Sequence, residues 1–319
     1  MGFSKDIKLE ILSTVKDFSD AEKKSFLSGV IQTSAEFNVN DNIYSFSIKT
    51  QVKDFCDVLK DICKNLYQLD LNVQEIEEKL FKNKRFEIIF CGEKINKVLQ
   101  DLKIVNLNEN NLVLNESFNI APNMDSQFVK AFVKGSFVAC GSASGIDKNE
   151  EKSVDYHIEW VLNSHLKAIN LLNLLSQIGV LGRIVKRKKF FVVYLQKFEA
   201  ISDMLVLFDA TENMLKLNNE FAKRNLKNIV NRQSNCDTAN MIKTVETSLF
   251  QLKAIELIKN TIGFERLDDD LVDVCMLRLA NVEESLQELS NLSGMSKSAI
   301  NYRLNKIMKI AKEIEEEQK

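Results

Sequence analysis

Phe26-Leu27-Ser28-Gly29-Val30 and Phe132-Val133-Lys134-Gly135-Ser136 are two versions of one pattern, with an aromatic residue three places before a glycine and lysine just upstream (Lys23-Lys24 and Lys130). Similarity at a fixed offset marks a duplicated unit, and the surroundings of the two segments agree with that. After each comes a short polar turn and an alternating strand, Tyr44-Ser45-Phe46-Ser47-Ile48 in the first copy and Asp155-Tyr156-His157-Ile158-Glu159-Trp160 in the second. Residues 52–66 and 165–178 then place apolar side chains at helical spacing. Each copy closes on a basic turn and a further strand: Lys82-Asn83-Lys84-Arg85 runs into Phe86–Phe90, and Lys186-Arg187-Lys188-Lys189 into Phe190–Leu195. The order helix, strand, strand, helix, strand therefore recurs. A glycine on a helix lets a second backbone come close, so Gly29 and Gly135 are expected to mark a pseudo-two-fold helix pair with a packing role.

The chain has 319 residues, enough for two domains. Its 45% hydrophobic and 28% charged content fits a globular protein with a proper core and excludes a disordered class. No window approaches the roughly 18 to 20 apolar residues needed to span a bilayer, and Met1–Asp6 lacks a signal-peptide apolar region, so a cytoplasmic protein is expected. The cysteines Cys56, Cys63, Cys91, Cys140, Cys236 and Cys275 form no C-x-x-C pair, which argues against a zinc site and a disulfide framework. His157 and His165 fall in different predicted elements. No metal, cofactor or small-molecule substrate is expected.

The net charge of −2 hides local fields. Residues 183–189 carry five positive charges, while 221–236 carry Lys223, Arg224, Lys227 and Arg232 with no acid. Residues 296–312 are likewise basic and free of acids. From Leu271 the pattern becomes three short helices: Leu271–Leu279, Ser285–Ser290 and Ser296–Ala311. Ser285 with Glu288 has the spacing of a capping box; Gly294 supplies a tight turn, and Ser296 can cap the next helix. Small Ser290 before Gly294, then Met295, Ile300 and Leu304, gives the spacing of a helix-turn-helix. Ile300, Leu304 and Ile307 should face inward, leaving Lys297, Ser298, Asn301, Tyr302 and Arg303 toward double-stranded DNA, with Lys306 and Lys309 extending the basic edge. Asn301 and Arg303 have the geometry for bidentate base contacts; Ser296 and the lysines suit phosphates. Ser293 departs from the motif, standing where an apolar residue is usual.

Between the two regions lie Asn213–Glu220, a basic helix from Phe221 to Arg232, and Asn235–Asn240. Lys223, Lys227 and Asn231 form one row and Arg224, Asn228 and Arg232 another. Such rows either track a phosphate backbone or are the solvated face of an inter-domain helix.

The duplicated glycine motif resembles the LAGLIDADG homing-endonuclease fold. In that family each motif helix ends in an acid that holds a divalent metal for phosphodiester hydrolysis. Aligning on the glycines puts Ser34 and Cys140 at the metal-binding positions and Gln32 and Val138 at the other motif acid. Glu36 is nearby, but the second copy offers Ser142, so a symmetric two-metal centre cannot be assembled. The resemblance thus implies the fold without the nuclease.

Three strings resemble the WhiA family over essentially the whole chain. They are Phe3-Ser4-x-x-Ile7-Lys8-x-Glu10; Asn231-Arg232 with Asn235-Cys236-Asp237-x-Ala239-Asn240-x-x-Lys243-Thr244; and Ser296-Lys297-Ser298-x-Ile300-Asn301-x-Arg303-Leu304. The resemblance implies an α+β protein: a pseudo-two-fold LAGLIDADG-like domain over 1–210 (repeats about 20–110 and 128–210), a basic helical linker over 211–260, and an all-α helix-turn-helix domain over 261–319 (motif about 285–316). It further implies a non-catalytic, nucleoid-associated protein of cell division and chromosome segregation, and in some relatives a transcription factor for sporulation genes. A protein-interaction platform tethered to the nucleoid and a metal-dependent endonuclease are the competing functions.

Overall fold

The computed structural model describes residues 2–40, 43–76, 84–108, 111–118, 125–146 and 155–317, so Lys82 and Asn83 of the expected basic turn lie outside the described residues. The chain divides into two compact units, Met1–Ala222 and Lys223–Lys319.

The first unit begins with α1 (Phe3–Thr14), which buries Phe3, Ile7 and Ile11, one face at a spacing of four. The first repeat is α2 (Asp20–Ser34), β1 (Glu36–Asn40), β2 (Ile43–Thr50), α3 (Lys53–Tyr67), β3 (Asn72–Ile76) and β4 (Arg85–Phe90). A connecting segment follows: α4 (Ile95–Asp101) and the hairpin β5 (Val105–Asn108) and β6 (Asn111–Leu114). The second repeat is α5 (Ser126–Cys140), β7 (Gly141–Ser144), β8 (His157–Leu162), α6 (His165–Gln177), β9 (Arg183–Arg187) and β10 (Phe190–Leu195), followed by α7 (Phe198–Leu207). Both sheets are antiparallel with the same order, β1-β2-β4-β3 and β7-β8-β10-β9.

Each repeat therefore has one strand more than the expected order. The additions, β3 and β9, are edge strands, and an edge strand pairs on one side only and tolerates charge on its open side. Arg183-Ile184-Val185-Lys186-Arg187 looks like a basic turn in sequence, yet it pairs in register with β10, Ile184 opposite Val193 and Lys186 opposite Phe191. Only Lys188-Lys189 form the turn, Lys188 at a φ of 56°.

The core sits between these elements. Tyr44, Phe46 and Ile48 alternate inward on β2, and Ile158, Trp160 and Leu162 do so on β8. Phe46 stacks on Phe90 with centroids 4.3 Å apart. At the centre α2 and α5 lie backbone to backbone: a Cβ on Gly29 would stand 2.1 Å from the Phe132 carbonyl oxygen, and a Cβ on Gly135 would stand 2.1 Å from that of Phe26. Ser19 and Glu22 form a capping box that starts α2. Buried Lys134 of the second motif is satisfied by an ion pair to Asp209 and lies 5.1 Å over the Phe18 ring.

The expected linker is one continuous helix, α8 (Thr211–Thr261). Asparagines at 213–220 and 235–240 read as breaks, but asparagine costs a helix under about 1 kcal/mol, and the stretch holds neither glycine nor proline. Glu10 of α1 caps its start, accepting from the backbone N–H groups of Glu212 at 2.7 Å and Asn213 at 3.2 Å, and from the Asn213 amide at 2.6 Å. A carboxylate there satisfies orphan donors and complements the helix dipole. In the second unit α8 is followed by α9 (Asp269–Ala280), α10 (Leu286–Ser293) and α11 (Lys297–Glu317).

Candidate nucleic-acid interface

The second unit is built around a small core. Ile255 and Ile258 of α8, Leu271, Val274 and Cys275 of α9, Leu289 of α10 and Ile300, Leu304 and Ile307 of α11 are buried together. The last three fall at i, i+4 and i+7, so the inward face of α11 is the one its sequence pattern gives.

The turn between α10 and α11 is closed by side chains. Ser285 accepts from the Glu288 N–H at 3.3 Å while Glu288 accepts from the Ser285 N–H at 2.7 Å, fixing the start of α10. These bonds to its charged form hold the Glu288 carboxyl below its ordinary pKa. Gly294 ends α10 in the left-handed region at φ 70°. Ser293, the residue out of place by sequence, is part of the closure: its hydroxyl donates to the Leu289 carbonyl at 2.8 Å and accepts from the Met295 N–H at 3.3 Å. The Ser290 hydroxyl donates to the Met295 carbonyl at 2.6 Å. A serine at 293 thus replaces apolar packing with two local hydrogen bonds, a role that spacing does not reveal. Ser296 accepts from the Ala299 N–H at 3.2 Å and caps α11.

Sequence reasoning also missed Arg278. It is 2% exposed, and its Nη1 donates to the carbonyls of Asn281 at 3.1 Å and Glu284 at 2.7 Å. Burial lowers its pKa, and Glu284 opposes that shift. One buried guanidinium therefore pins the loop that delivers α10. The signal was an arginine placed on the inward side of an amphipathic helix.

The structure sorts the expected DNA-facing residues into two groups. Lys297, Ser298, Asn301 and Tyr302 are exposed on one side of α11, Tyr302 at 71%. Arg303 and Lys306 turn instead toward α9: Arg303 Nη2 is 2.9 Å from Asp270, and Lys306 Nζ is 2.9 Å from Asp268. Arg303 is half-buried, its other amine against the Met295 sulfur. The Asp268 carboxylate raises the Lys306 pKa. Lys309 and Lys312 stand 3.9 Å from Glu313 and Glu316, one turn further along α11. Lys223, Lys227 and Arg232 are exposed on α8 and Arg224 is half-buried; all four belong to the second unit.

In the first unit the positions of the expected motif acids carry a hydroxyl and a thiol. Ser34 donates to the Val30 carbonyl at 2.7 Å, and the Cys140 thiol lies 3.4 Å from the Ser136 carbonyl, its pKa pushed up to about 11 by burial. The cations Lys8 and Lys167 both act on Cys140. Lys167 donates to the Gln32 carbonyl at 2.7 Å. Hard divalent ions require anionic oxygens, and among the described residues no three His, Cys, Asp or Glu side chains converge.

Known proteins align with this architecture. A model described as the WhiA N-terminal LAGLIDADG-like domain matches residues 20–105, one for the WhiA LAGLIDADG-like domain matches 129–227, and one for the WhiA C-terminal HTH domain matches 230–311. The chain is 31% identical over 325 residues to a probable cell division protein WhiA of Clostridium tetani, covering 99% of both. It is 31% identical over 323 residues to that of Clostridium acetobutylicum, again covering 99% of both. Among solved structures it is similar to full-length DUF199/WhiA from Thermatoga maritima, with 26% identity, 98% of this chain and 99% of that chain covered, and a TM-score of 0.55.

Proposed function

The chain belongs to the WhiA family, and from that premise we propose that it is a non-catalytic regulator that binds double-stranded DNA and acts in cell division. The observation that carries the reading is the α10–Gly294–α11 turn, closed by Ser290, Ser293 and the Ser285–Glu288 box, which presents Ser298, Asn301 and Tyr302 on one exposed face. A recognition helix so held enters the major groove, where asparagine reads adenine by two hydrogen bonds. Arg303 is the second base reader if it exchanges Asp270 for a guanine edge. Lys297, Lys306 and Ser296 engage phosphates, and Lys223, Arg224, Lys227 and Arg232 of α8 extend that backbone contact. Chromosome segregation, nucleoid association and transcriptional control are the finer roles we infer from the family.

The non-catalytic reading is supported by the chemistry of Ser34 and Cys140, which supply a hydroxyl and a protonated thiol where hydrolysis uses carboxylates. The test of the DNA reading is a salt titration of full-length protein on random and genomic duplexes by fluorescence anisotropy. A steep fall of affinity with salt is expected, together with stronger binding to a subset of genomic sequences; no binding at low salt overturns the reading. Supercoiled plasmid incubated with Mg²⁺ or Mn²⁺ should remain intact, and nicking would restore the nuclease.

A further inference from the structure

The two repeats create two related clefts in the first unit. Each lies where the strand-to-helix junction of one repeat meets the end of the central helix of the other. The first is lined by the β2–α3 junction and Ala139 of α5; the second by Asn163, Ser164 and Lys167 of the β8–α6 junction and Gln32 of α2. They differ in size, about 880 Å³ against 360 Å³, and in charge. Lys5, Lys8, Lys49, Lys53, Lys84 and Arg85 line the first, opposed among the described residues of its lining by Asp54. Lys49 and Lys84 pair with Glu36 and Glu75 outside the cleft, which leaves Lys5, Lys8 and Lys53 against Asp54 among the described residues of the lining. In the second cleft Lys167 is offset by Glu116 and already bonded to the Gln32 carbonyl. The charge of the first cleft is therefore a property of that cleft and not of the repeated fold.

Two helices begin at the larger cleft. Gly2, Ser4 and Lys5 from the start of α1 and Val52, Lys53 and Asp54 from the start of α3 line it, and neither start carries a side-chain cap. First-turn N–H groups and the dipoles of both helices thus add to the lysines. The third feature is Lys8. Its ammonium is largely buried, 5.8 Å from the Phe137 ring centroid, with no carboxylate within ion-pair distance among the described residues. A buried cation without an anionic partner is costly and needs compensation. Burial brings its pKa down to about 8, against a raising influence of Cys140.

We propose that this cleft binds a small ligand carrying two or more phosphates and of nucleotide size, with the phosphates on Lys8, Lys53 and Lys5 and an apolar or ring portion against Phe86. The volume lies in the range of small-molecule sites, and the recessed position of Lys8 suits a ligand that enters the cleft rather than the convex backbone of a duplex. No sign of a small-molecule partner is legible in the sequence, because the lining comes from four separated segments.

The test is isothermal titration calorimetry of the full-length protein with inorganic tripolyphosphate and with ATP. One saturable site is expected for each. Lys8→Met and Lys53→Gln should each weaken binding about tenfold, as loss of a charged hydrogen bond does, while Lys167→Met in the smaller cleft leaves it unchanged. Lys53 is exposed, so that variant keeps the test open if Lys8→Met alters folding. No heat with either ligand, unchanged affinity in both variants, or displacement of ATP by a duplex would overturn the proposal. Duplex binding by Asn301→Ala, measured in parallel, separates failure of this site from failure of the DNA reading.

Discussion

The Cα of Gly29 faces the carbonyl oxygen of Phe132 so closely that a methyl group would stand 2.1 Å away, and Gly135 repeats the relationship with Phe26. Backbone, not a flexible side chain, occupies the space. Gly29→Ala must therefore push α2 and α5 apart, at a cost of about 3 kcal/mol or more. Gly135→Ala should cost as much, because the two contacts are pseudo-symmetric. Chemical denaturation followed by the fluorescence of Trp160, buried in the same unit, reports the effect. Midpoints equal to the parent's would contradict the close contact.

Lys8 makes stability depend on pH. Its folded pKa of about 8 lies below the ordinary 10.5. Below pH 8 the ammonium is charged in both states and the folded state bears the burial cost. Between 8 and 10.5 the folded state releases the proton while the unfolded chain keeps it, so stability rises with pH. Lys8→Met should therefore stabilise the protein at pH 7 by on the order of 1–3 kcal/mol, with the gain shrinking toward zero above pH 10. A gain that is constant with pH would argue against the burial cost.

Arg278→Leu removes the donor for two loop carbonyls, those of Asn281 and Glu284. Leaving them unpaired should destabilise the second unit by about 2–4 kcal/mol. Trp160 is the only tryptophan and belongs to the first unit, so circular dichroism should move while tryptophan fluorescence holds. Equal shifts in both signals would mean that the two units unfold together.

Asp270 offers a test of Arg303. If Arg303 reads a base, Asp270→Asn frees its guanidinium and strengthens binding to a preferred duplex. If the pair at 2.9 Å serves to hold α11 on α9, Asp270→Asn lowers the melting temperature and weakens all duplexes alike. We expect the first outcome for affinity, measured by anisotropy at fixed salt.

Asn301→Ala and Lys227→Ala should differ in kind. Loss of Asn301 removes a base contact worth about 1–3 kcal/mol at a preferred site and leaves the salt dependence unchanged. Loss of Lys227 weakens all duplexes evenly and reduces the salt slope by about one. The same salt titration distinguishes them, and a changed slope for Asn301→Ala would reassign it to the backbone.

Much of this is legible in the sequence. The inward face of α11, the capping box at Ser285 and the turn at Gly294 are local features, set by residues within a few positions of one another. The duplication was legible for the same reason, since Phe26–Val30 and Phe132–Ser136 carry the same short pattern. Edge strand β9 was hidden because its charges are tolerated only by virtue of its place at the sheet edge. The continuity of α8 was hidden because clustered asparagines resemble a linker while costing a helix little.

Side-chain chemistry and periods of two and 3.6 residues set, within the sequence, which faces are apolar, where most helices and strands run and which motif acids are missing, but not the edge strands β3 and β9 or the unbroken course of α8. Where the long side chains go was settled by tertiary packing. It turned Arg303 and Lys306 toward Asp270 and Asp268, sank Arg278 beneath a loop, and gathered Lys5, Lys8 and Lys53 into one cleft. Those outcomes depend on charges brought together from distant parts of the chain, and Coulomb energy is set by distance in space rather than by separation in sequence.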